Sequence, residues 1–375
     1  MTDFAQDTLG LRATRPSASR LQTWLPGAFL LTVVALGSGL TLGRPGLREA
    51  QPGKNLLTGE WTASWEKNLD AGVLWRDPSV NLWGGLNYRL LHEAREGAVM
   101  GREGWLYTAE EFQTSAQDAR ELAAKLEYVR QVRDTLAKTG TRLVVALIPA
   151  KARVYPEYLG RAHIPAVKEN VYAQFRQELE DAHIPVPDLL AAMQAGKKRS
   201  GEALFLRTDT HWTPQGAAVA AQALAPTVEA LRLDLPSATY AVQPQPPAAR
   251  RGDLLRYVPV PGDVGPAPDT VRGQSYVRTD GEGGSLLGDE AIAVTLVGTS
   301  YSADTPENVW KFSGALAHAL GTEVLNAAQA GKGPLLPMRE YLGGQDYRDA
   351  PPKVVIWEIP ERFLRVPYGN TARKE

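Results

Sequence analysis

Three runs, Arg142-Leu-Val-Val-Ala-Leu-Ile-Pro149, Ala291-Ile-Ala-Val-Thr-Leu-Val297 and Lys353-Val-Val-Ile-Trp-Glu-Ile359, limit most severely what this chain can become. Each is nearly continuous in Val, Ile and Leu instead of alternating apolar with polar, which is the pattern of a strand covered on both faces. Strands of that kind need helices above and below them. Ser115 to Lys138 supplies the clearest one: Leu122, Leu126, Val129 and Val132 or Leu136 recur at three- and four-residue steps, and Gly140 ends it. Further helices are expected from about Val167 to Ala182, near Asp188 to Gln194, from Thr213-Pro214 through Leu224, through Val309, Phe312, Leu316 and Leu320, and around Leu336 to Leu342, with a short strand near Glu323 to Leu325. Helix, glycine, apolar strand is the rhythm of a layered α/β fold with a mostly parallel central sheet flanked by helices.

Ahead of that domain lies an uncharged run from Leu21 to Gly43 with an apolar body, Trp24 to Leu42. At about 1.5 Å per residue it is long enough to cross a hydrocarbon core of about 30 Å. Arg12, Arg15 and Arg20 precede it and Arg44 and Arg48 follow, a weak bias towards a cytoplasmic N-terminus. An uncleaved transmembrane anchor is preferred to a cleaved signal peptide, because the stretch before the apolar run is long for a signal peptide. The expected organisation is a cytoplasmic tail over 1–23, an anchor over 24–43, a linker over 44–57 and an exported domain over 58–375. A single-pass inner-membrane protein with its domain in the periplasm follows. Within that domain, 233–290 breaks the rhythm with Pro and Gly, as in Pro244-Gln-Pro-Pro-Ala248 and Gly281-Glu-Gly-Gly284. It reads as an insertion carrying short strands such as Thr239 to Val242 and Gln274 to Arg278, either shaping a cleft or lying at the periphery.

Net charge is -1 with basic residues spread along the chain, so nothing marks a nucleic-acid surface. Cysteine is absent, which removes disulfides, thiol catalysis and Cys-ligated metals.

Chemistry concentrates in two stretches. Phe205-Leu-Arg-Thr-Asp-Thr-His-Trp-Thr-Pro-Gln-Gly216 places a carboxylate, Asp209, and an imidazole, His211, just before a helix with Thr213 as N-cap and Pro214 at its first position. Imidazole titrates near pH 6.5 and works best as a base when a carboxylate fixes its proton on one nitrogen. Val297-Gly-Thr-Ser-Tyr-Ser302 leaves the second strand and is expected to put Ser300 at the N-terminus of the next helix, where free amides stabilise an oxyanion. Gly298 is expected to permit the sharp turn; a plain N-cap is the competing role for Ser300. Together Ser300, His211 and Asp209 supply nucleophile, base and base-orienter. Zinc is disfavoured, since the chain has 5 histidines and none two or four residues beyond His211. No metal or cofactor is expected, and His163 and His183 read as incidental. Lys151 and Arg153, after the first apolar strand, are candidates to steer an anionic polymer or to brace the site. Trp212, Tyr301 and Trp310 are candidates to stack on sugar rings, with core packing as the alternative.

With Gly101-Arg-Glu-Gly-Trp-Leu-Tyr107, Lys151-Ala-Arg-Val-Tyr-Pro156 and Trp357-Glu-Ile-Pro-Glu-Arg362, these blocks resemble the alginate O-acetylation family of SGNH-hydrolase-like proteins over about residues 57 to 370. The resemblance implies an SGNH-hydrolase-like fold and a periplasmic acetyltransferase that modifies hydroxyls of a secreted polysaccharide through a Ser acyl-enzyme. It also implies a multi-spanning membrane acyltransferase as acetyl supplier. Its catalytic serine, histidine and aspartate match Ser300, His211 and Asp209. A carbohydrate acetylesterase and a non-catalytic scaffold are the rival functions.

Overall fold

The computed structural model describes residues 20–43, 55–73, 76–260, 264–280, 292–305 and 308–367. Most of the expected tail and linker, the flanking Arg12, Arg15, Arg44 and Arg48, and Gly281 to Gly284 of the insertion lie outside the described residues. The chain divides into two compact units, Met1–Trp83 and Gly84–Glu375.

In the first unit, α1 (Arg20–Leu42) contains an 18-residue window, Trp24–Thr41, with mean hydropathy 1.5. Its apolar side chains are turned outward, Trp24, Phe29 and Leu31 each being more than two-thirds exposed, so it is not a core helix of a globular body. This N-terminal apolar helix fits a single-pass membrane anchor. In α2 (Glu60–Gly72), Trp61 and Trp65 stand one turn apart and stack at 6.5 Å. The next helix, α3 (Arg76–Leu86), runs up to and past the division.

The second unit opens with a small hairpin, β1 (Ala98–Met100) and β2 (Leu106–Thr108), whose turn has Glu103 and Gly104 at positive φ. Trp105 there is buried and stacks on Tyr155 and Tyr158 at 4.4 and 4.7 Å. Next come α4 (Asp118–Ala137), β3 (Arg142–Ile148), the short α5 (Lys151–Val154) and α6 (Ala166–Glu169), then α7 (Val171–Asp181), α8 (Leu189–Arg199) and α9 (Pro214–Glu229). An antiparallel ribbon, β4 (Tyr240–Arg250) and β5 (Asp269–Arg278), precedes β6 (Val294–Val297), α10 (Phe312–Leu320), β7 (Val324–Asn326), α11 (Leu335–Gly343), α12 (Gln345–Asp349) and β8 (Val354–Pro360).

The central sheet has the order β3-β8-β6-β7 with every neighbour pair parallel. Side chains alternate across a strand, and here both sets are apolar. Val144, Ala146, Ile148, Leu296 and Ile356 face a cluster with Leu189, Ala220, Leu224 and Leu316 from α8, α9 and α10. Leu143, Val145, Leu147, Val355 and Trp357 face the other, with Leu126 and Val129 of α4, Phe175 of α7 and Met338 of α11. Two buried polar residues interrupt these strands, Glu358 in β8 and Thr295 in β6, and Thr295 receives the Tyr341 hydroxyl at 3.2 Å. The uninterrupted apolar runs therefore mean what they imply: a sheet covered by helices on both sides. The start of α9 is also as expected, with the Thr213 hydroxyl accepting from the Gly216 amide at 3.1 Å and Pro214 in the first turn. Gly216 is required by space, since a Cβ there would lie 2.0 Å from the Leu204 carbonyl oxygen.

Within the described part of 233–290 the strands are longer than expected. Thr239–Val242 and Gln274–Arg278 belong to one longer ribbon, in which Tyr240 pairs with Arg278 and Arg250 with Asp269, and the register shifts between Pro244 and Pro247. Prolines that donate nothing to a ladder fit a two-stranded ribbon with open edges.

Candidate active site

The Asp209 loop is a tight excursion closed at its base. The Leu206 amide donates to His211 O at 3.0 Å and the Thr213 amide to Leu204 O at 2.9 Å. Four groups from elsewhere tie down the residues between. Lys151 Nζ donates to the carbonyls of Leu106, Leu206, Arg207 and Asp209 at 2.6, 2.6, 2.9 and 3.1 Å. Asp269 accepts the amides of Arg207 and Thr208 at 2.8 and 2.9 Å. Asp253 accepts the Thr210 amide at 2.8 Å and its hydroxyl. Gly252 lies so close that a Cβ would sit 2.1 Å from Thr208 O. A loop with its backbone polar groups satisfied this way is rigid without being helical, so Asp209 and His211, two residues apart, turn to the same side.

His211 Nδ1 lies 2.7 Å from Asp209 Oδ1, and its Nε2 lies 2.8 Å from Ser300 Oγ. A carboxylate only accepts, so the Nδ1 proton donates to Asp209 and Nε2 keeps its lone pair for the Ser300 hydroxyl. Asp209 is 1% exposed, and burial acts to raise its pKa. The hydrogen bond and charge of His211, the His211 amide and Arg250, 3.5 Å from Oδ2, outweigh burial and hold the carboxyl well below its ordinary range. The imidazole ring is sandwiched by aromatics: Trp310 stacks on it at 4.6 Å and 14°, and Tyr301 sits at 4.8 Å with its hydroxyl donating to Thr210 O at 2.7 Å.

Ser300 does not stand at a helix N-terminus as expected. After β6 the chain makes a single turn, in which the amides of Ser302 and Ala303 both donate to Thr299 O, and the next helix, α10, starts only at Phe312. Asn308 stabilises the intervening loop by accepting the amides of Trp310 and Lys311 at 3.1 and 3.0 Å. A helix dipole therefore plays no part at Ser300, and neither does helix N-capping. The Ser300 amide itself donates to no acceptor among the described residues. Gly298 is needed for space and not for an unusual φ: a Cβ there would lie 2.4 Å from Glu358 Oε2.

The five residues expected to touch a polymer each have partners inside the protein. Lys151 is 1% exposed, and burial pulls its pKa down to about 8 against the pull of Glu111 and three aspartates. Arg153 pairs with Glu361 at 2.6 Å and donates to the carbonyls of Glu169 and Lys168. Both brace the scaffold, the second of the roles open to them. Trp212 is fully buried against Tyr301 and Phe312, and Tyr301 and Trp310 are 2% and 3% exposed, so their faces are covered and none is available to stack on a sugar. A cavity of about 20 Å³ beside Arg153, Glu111, Glu361 and Arg362 has room for about one water and is no substrate site.

Asp209, His211 and Asp253 bring potential ligand atoms within 4.8 Å of one another. Their lone pairs are already taken by N–H and O–H donors, and the Arg250 guanidinium lies beside Asp209. This arrangement suits a carboxylate that orients His211 better than it suits a cation.

Sequence reasoning missed Arg250 and Asp269 from the ribbon, Asp253 from the segment joining its strands, and Glu358 from β8. The first three sit in a Pro/Gly-rich stretch without a spacing rule to single them out. Glu358 left a signal: one acid in a strand buried along its whole length needs donors waiting for it.

A family model described as an SGNH hydrolase-like domain, acetyltransferase AlgX, matches residues 98–361. The chain is 39% identical over 345 residues to the probable alginate O-acetylase AlgJ of Pseudomonas putida, covering 90% of this chain and 88% of that protein. It is 37% identical over 351 residues to the counterpart in Pseudomonas aeruginosa, 88% of each chain being covered. The solved O-acetyltransferase domain of Pseudomonas putida AlgJ superposes with a TM-score of 0.67 at 41% identity, covering 74% of this chain and 95% of that one.

Proposed function

The chain belongs to the SGNH hydrolase-like acetyltransferase family, and from that footing we propose that it transfers acetyl groups to hydroxyls of a secreted exopolysaccharide through Ser300, His211 and Asp209. The observation that carries this reading is the unbroken line from Asp209 Oδ1 through both ring nitrogens of His211 to Ser300 Oγ, at 2.7 and 2.8 Å. Its relatives are named as alginate O-acetylases, and a polymer of that class is the proposed acceptor. The acetyl supplier is a multi-spanning membrane acyltransferase. The N-terminal helix holds the protein in the inner membrane with the second unit in the periplasm.

Ser300 Oγ attacks the acetyl carbonyl of the donor while its proton moves to His211 Nε2. Asp209, held ionised, stabilises the imidazolium by accepting from Nδ1. The tetrahedral oxyanion is met by backbone amides, the uncommitted one of Ser300 among them. Collapse expels the donor's leaving group, which takes the proton from Nε2, and leaves an acetyl ester on Ser300. A sugar hydroxyl then gives its proton to Nε2 as its oxygen attacks that ester, and the proton returns to Ser300 as the acetylated sugar departs.

The test is incubation of the protein with an activated acetyl ester and polysaccharide-derived oligosaccharides. Acetylated sugar is expected, and Ser300→Ala is expected to abolish it. Free acetate without acetylated sugar makes the protein an esterase. Polymer acetylation that survives Ser300→Ala in cells, at equal protein level, makes it a scaffold.

A further inference from the structure

Glu358 is a buried acid that the acetyl-transfer steps do not use, and its surroundings are unusually one-sided. It lies at 0% exposure in β8, between residues that are all buried. An ionised carboxylate in such a place is costly unless donors converge on it. Here a cluster of hydrogen-bond donors to its side chain comes from the turn that carries Ser300, and the charge of Arg362 adds to them. The Thr299 amide donates to Oε2 at 2.7 Å, the Thr299 hydroxyl lies 3.1 Å from both oxygens, and the Ser302 hydroxyl donates to Oε2 at 3.0 Å. Pairing of Val297 with Trp357 sets this register, placing Gly298 next to Glu358 with no Cβ in the way. The residue before Ser300 and the second residue after it are thus fixed to one carboxylate. The Thr299 hydroxyl also accepts from the Tyr301 amide at 3.3 Å, and Tyr301 ties the turn to the His211 loop through Thr210 O.

We propose that Glu358 is a positioning residue for acetyl transfer: by gripping Thr299 and Ser302 it presents the Ser300 hydroxyl to His211 Nε2. The proposal rests on Ser300 being the nucleophile. Glu358 touches neither donor nor acceptor, so it acts on the rate of Ser300 acetylation and not on polymer binding.

Two substitutions in the full-length protein grade the grip. Glu358→Gln keeps one carbonyl acceptor, whereas Glu358→Leu keeps the bulk and no acceptor. The readouts are the acetylation rate of Ser300 by an activated acetyl ester, the rate of its sulfonylation by an aryl sulfonyl fluoride, and KM for the acceptor oligosaccharide, all per folded molecule. Expected are losses of about tenfold for Gln and a hundredfold or more for Leu in both Ser300 rates, with KM within twofold of the parent. Glu361→Gln is the control: its carboxylate is also buried but holds the Ala150 amide and Arg153 instead. It is expected to lower the melting temperature without slowing Ser300. Should Glu358→Leu fail to fold, Thr299→Val, which removes one donor beside Ser300, takes its place with an expected loss of about fivefold. Unchanged Ser300 rates in Glu358→Gln, or an equal loss in Glu361→Gln, overturn the proposal. Ser300→Ala run in parallel separates this failure from the other: transfer retained there removes the nucleophile itself, whatever Glu358 does.

Discussion

Asp209 and Glu358 are both buried carboxyls, and their surroundings push them in opposite directions. Burial raises each, but at Asp209 the histidine and Arg250 win, while at Glu358 the donors of Thr299 and Ser302 only reduce a shift that still reaches about 7. A depressed folded-state pKa contributes stability that is present above the unfolded value and lost as pH falls through the folded one, so Asp209 matters below about pH 4. For Glu358 the sign reverses: its contribution is complete below about pH 4.3 and is lost as pH rises towards 7, by at most about 3 kcal/mol. Urea unfolding from pH 5 to 7.5 should therefore show a decline in stability that Glu358→Gln flattens; identical slopes in the two proteins would remove this assignment. Asp209→Asn is expected to cost about 10³ to 10⁴ in turnover, because an amide can place its NH2 against Nδ1 and favour the wrong tautomer. A loss below tenfold in acetyl transfer would show that His211 does not depend on Asp209. Trp310→Ala should lower turnover and cost about 3 to 5 kcal/mol of stability, while Trp310→Phe keeps a flat ring under the imidazole and most of the rate. Equal rates for the two variants would count against a positioning role for the ring.

Among the elements, those buried on both faces were legible from sequence, because continuous Val, Ile and Leu leave a strand no exposed face: β3, β6 and β8 lie within or almost within their apolar runs. The helix at α4 was legible for the matching reason, a 3.6-residue stripe with a glycine behind it. The Asp209–His211 pair and Ser300 could be singled out by residue type and spacing, but not the scaffold around them. Ser300 was assigned to a helix start because Gly-Thr-Ser after a strand commonly leads into one. Here Asn308 satisfies the loop amides with its side chain and delays the helix to Phe312. Of the ribbon only short strands at Thr239 to Val242 and Gln274 to Arg278 were legible; its length and register were not, because register comes from cross-strand pairing and prolines erase the alternation that marks a strand. The contribution of the segment joining its strands can be measured. Asp253→Ala leaves the buried Thr210 amide and hydroxyl without their acceptor, which should cost about 1 to 3 kcal/mol in urea unfolding and slow transfer at least tenfold. If neither quantity moves, the segment joining the strands of the ribbon is peripheral to the site.

At the level of the whole molecule, the proposed function gives the apolar helix the task of location and the Asp209–His211–Ser300 line the chemistry. The groups that form the Asp209–His211–Ser300 line lie within Gly84–Glu375, a compact unit with its own sheet and, among the described residues, three apolar clusters. Asp209, His211 and Ser300 all belong to that unit, so cutting α1 away should leave the intrinsic step intact. What tethering changes is encounter. A donor presented at a membrane and an enzyme anchored there meet at an effective concentration that a free domain does not reach. Residues 44–375 are therefore expected to turn over a soluble acetyl ester within twofold of the full-length rate, yet to acetylate the polymer poorly when exported behind a cleavable signal peptide in place of α1. The two measurements are the ester turnover in solution and the acetyl content of the secreted polymer at matched protein level. Full polymer acetylation by the untethered form would show that the anchor is dispensable. A fall in ester turnover would instead mean that residues 1–43 support the folded site directly.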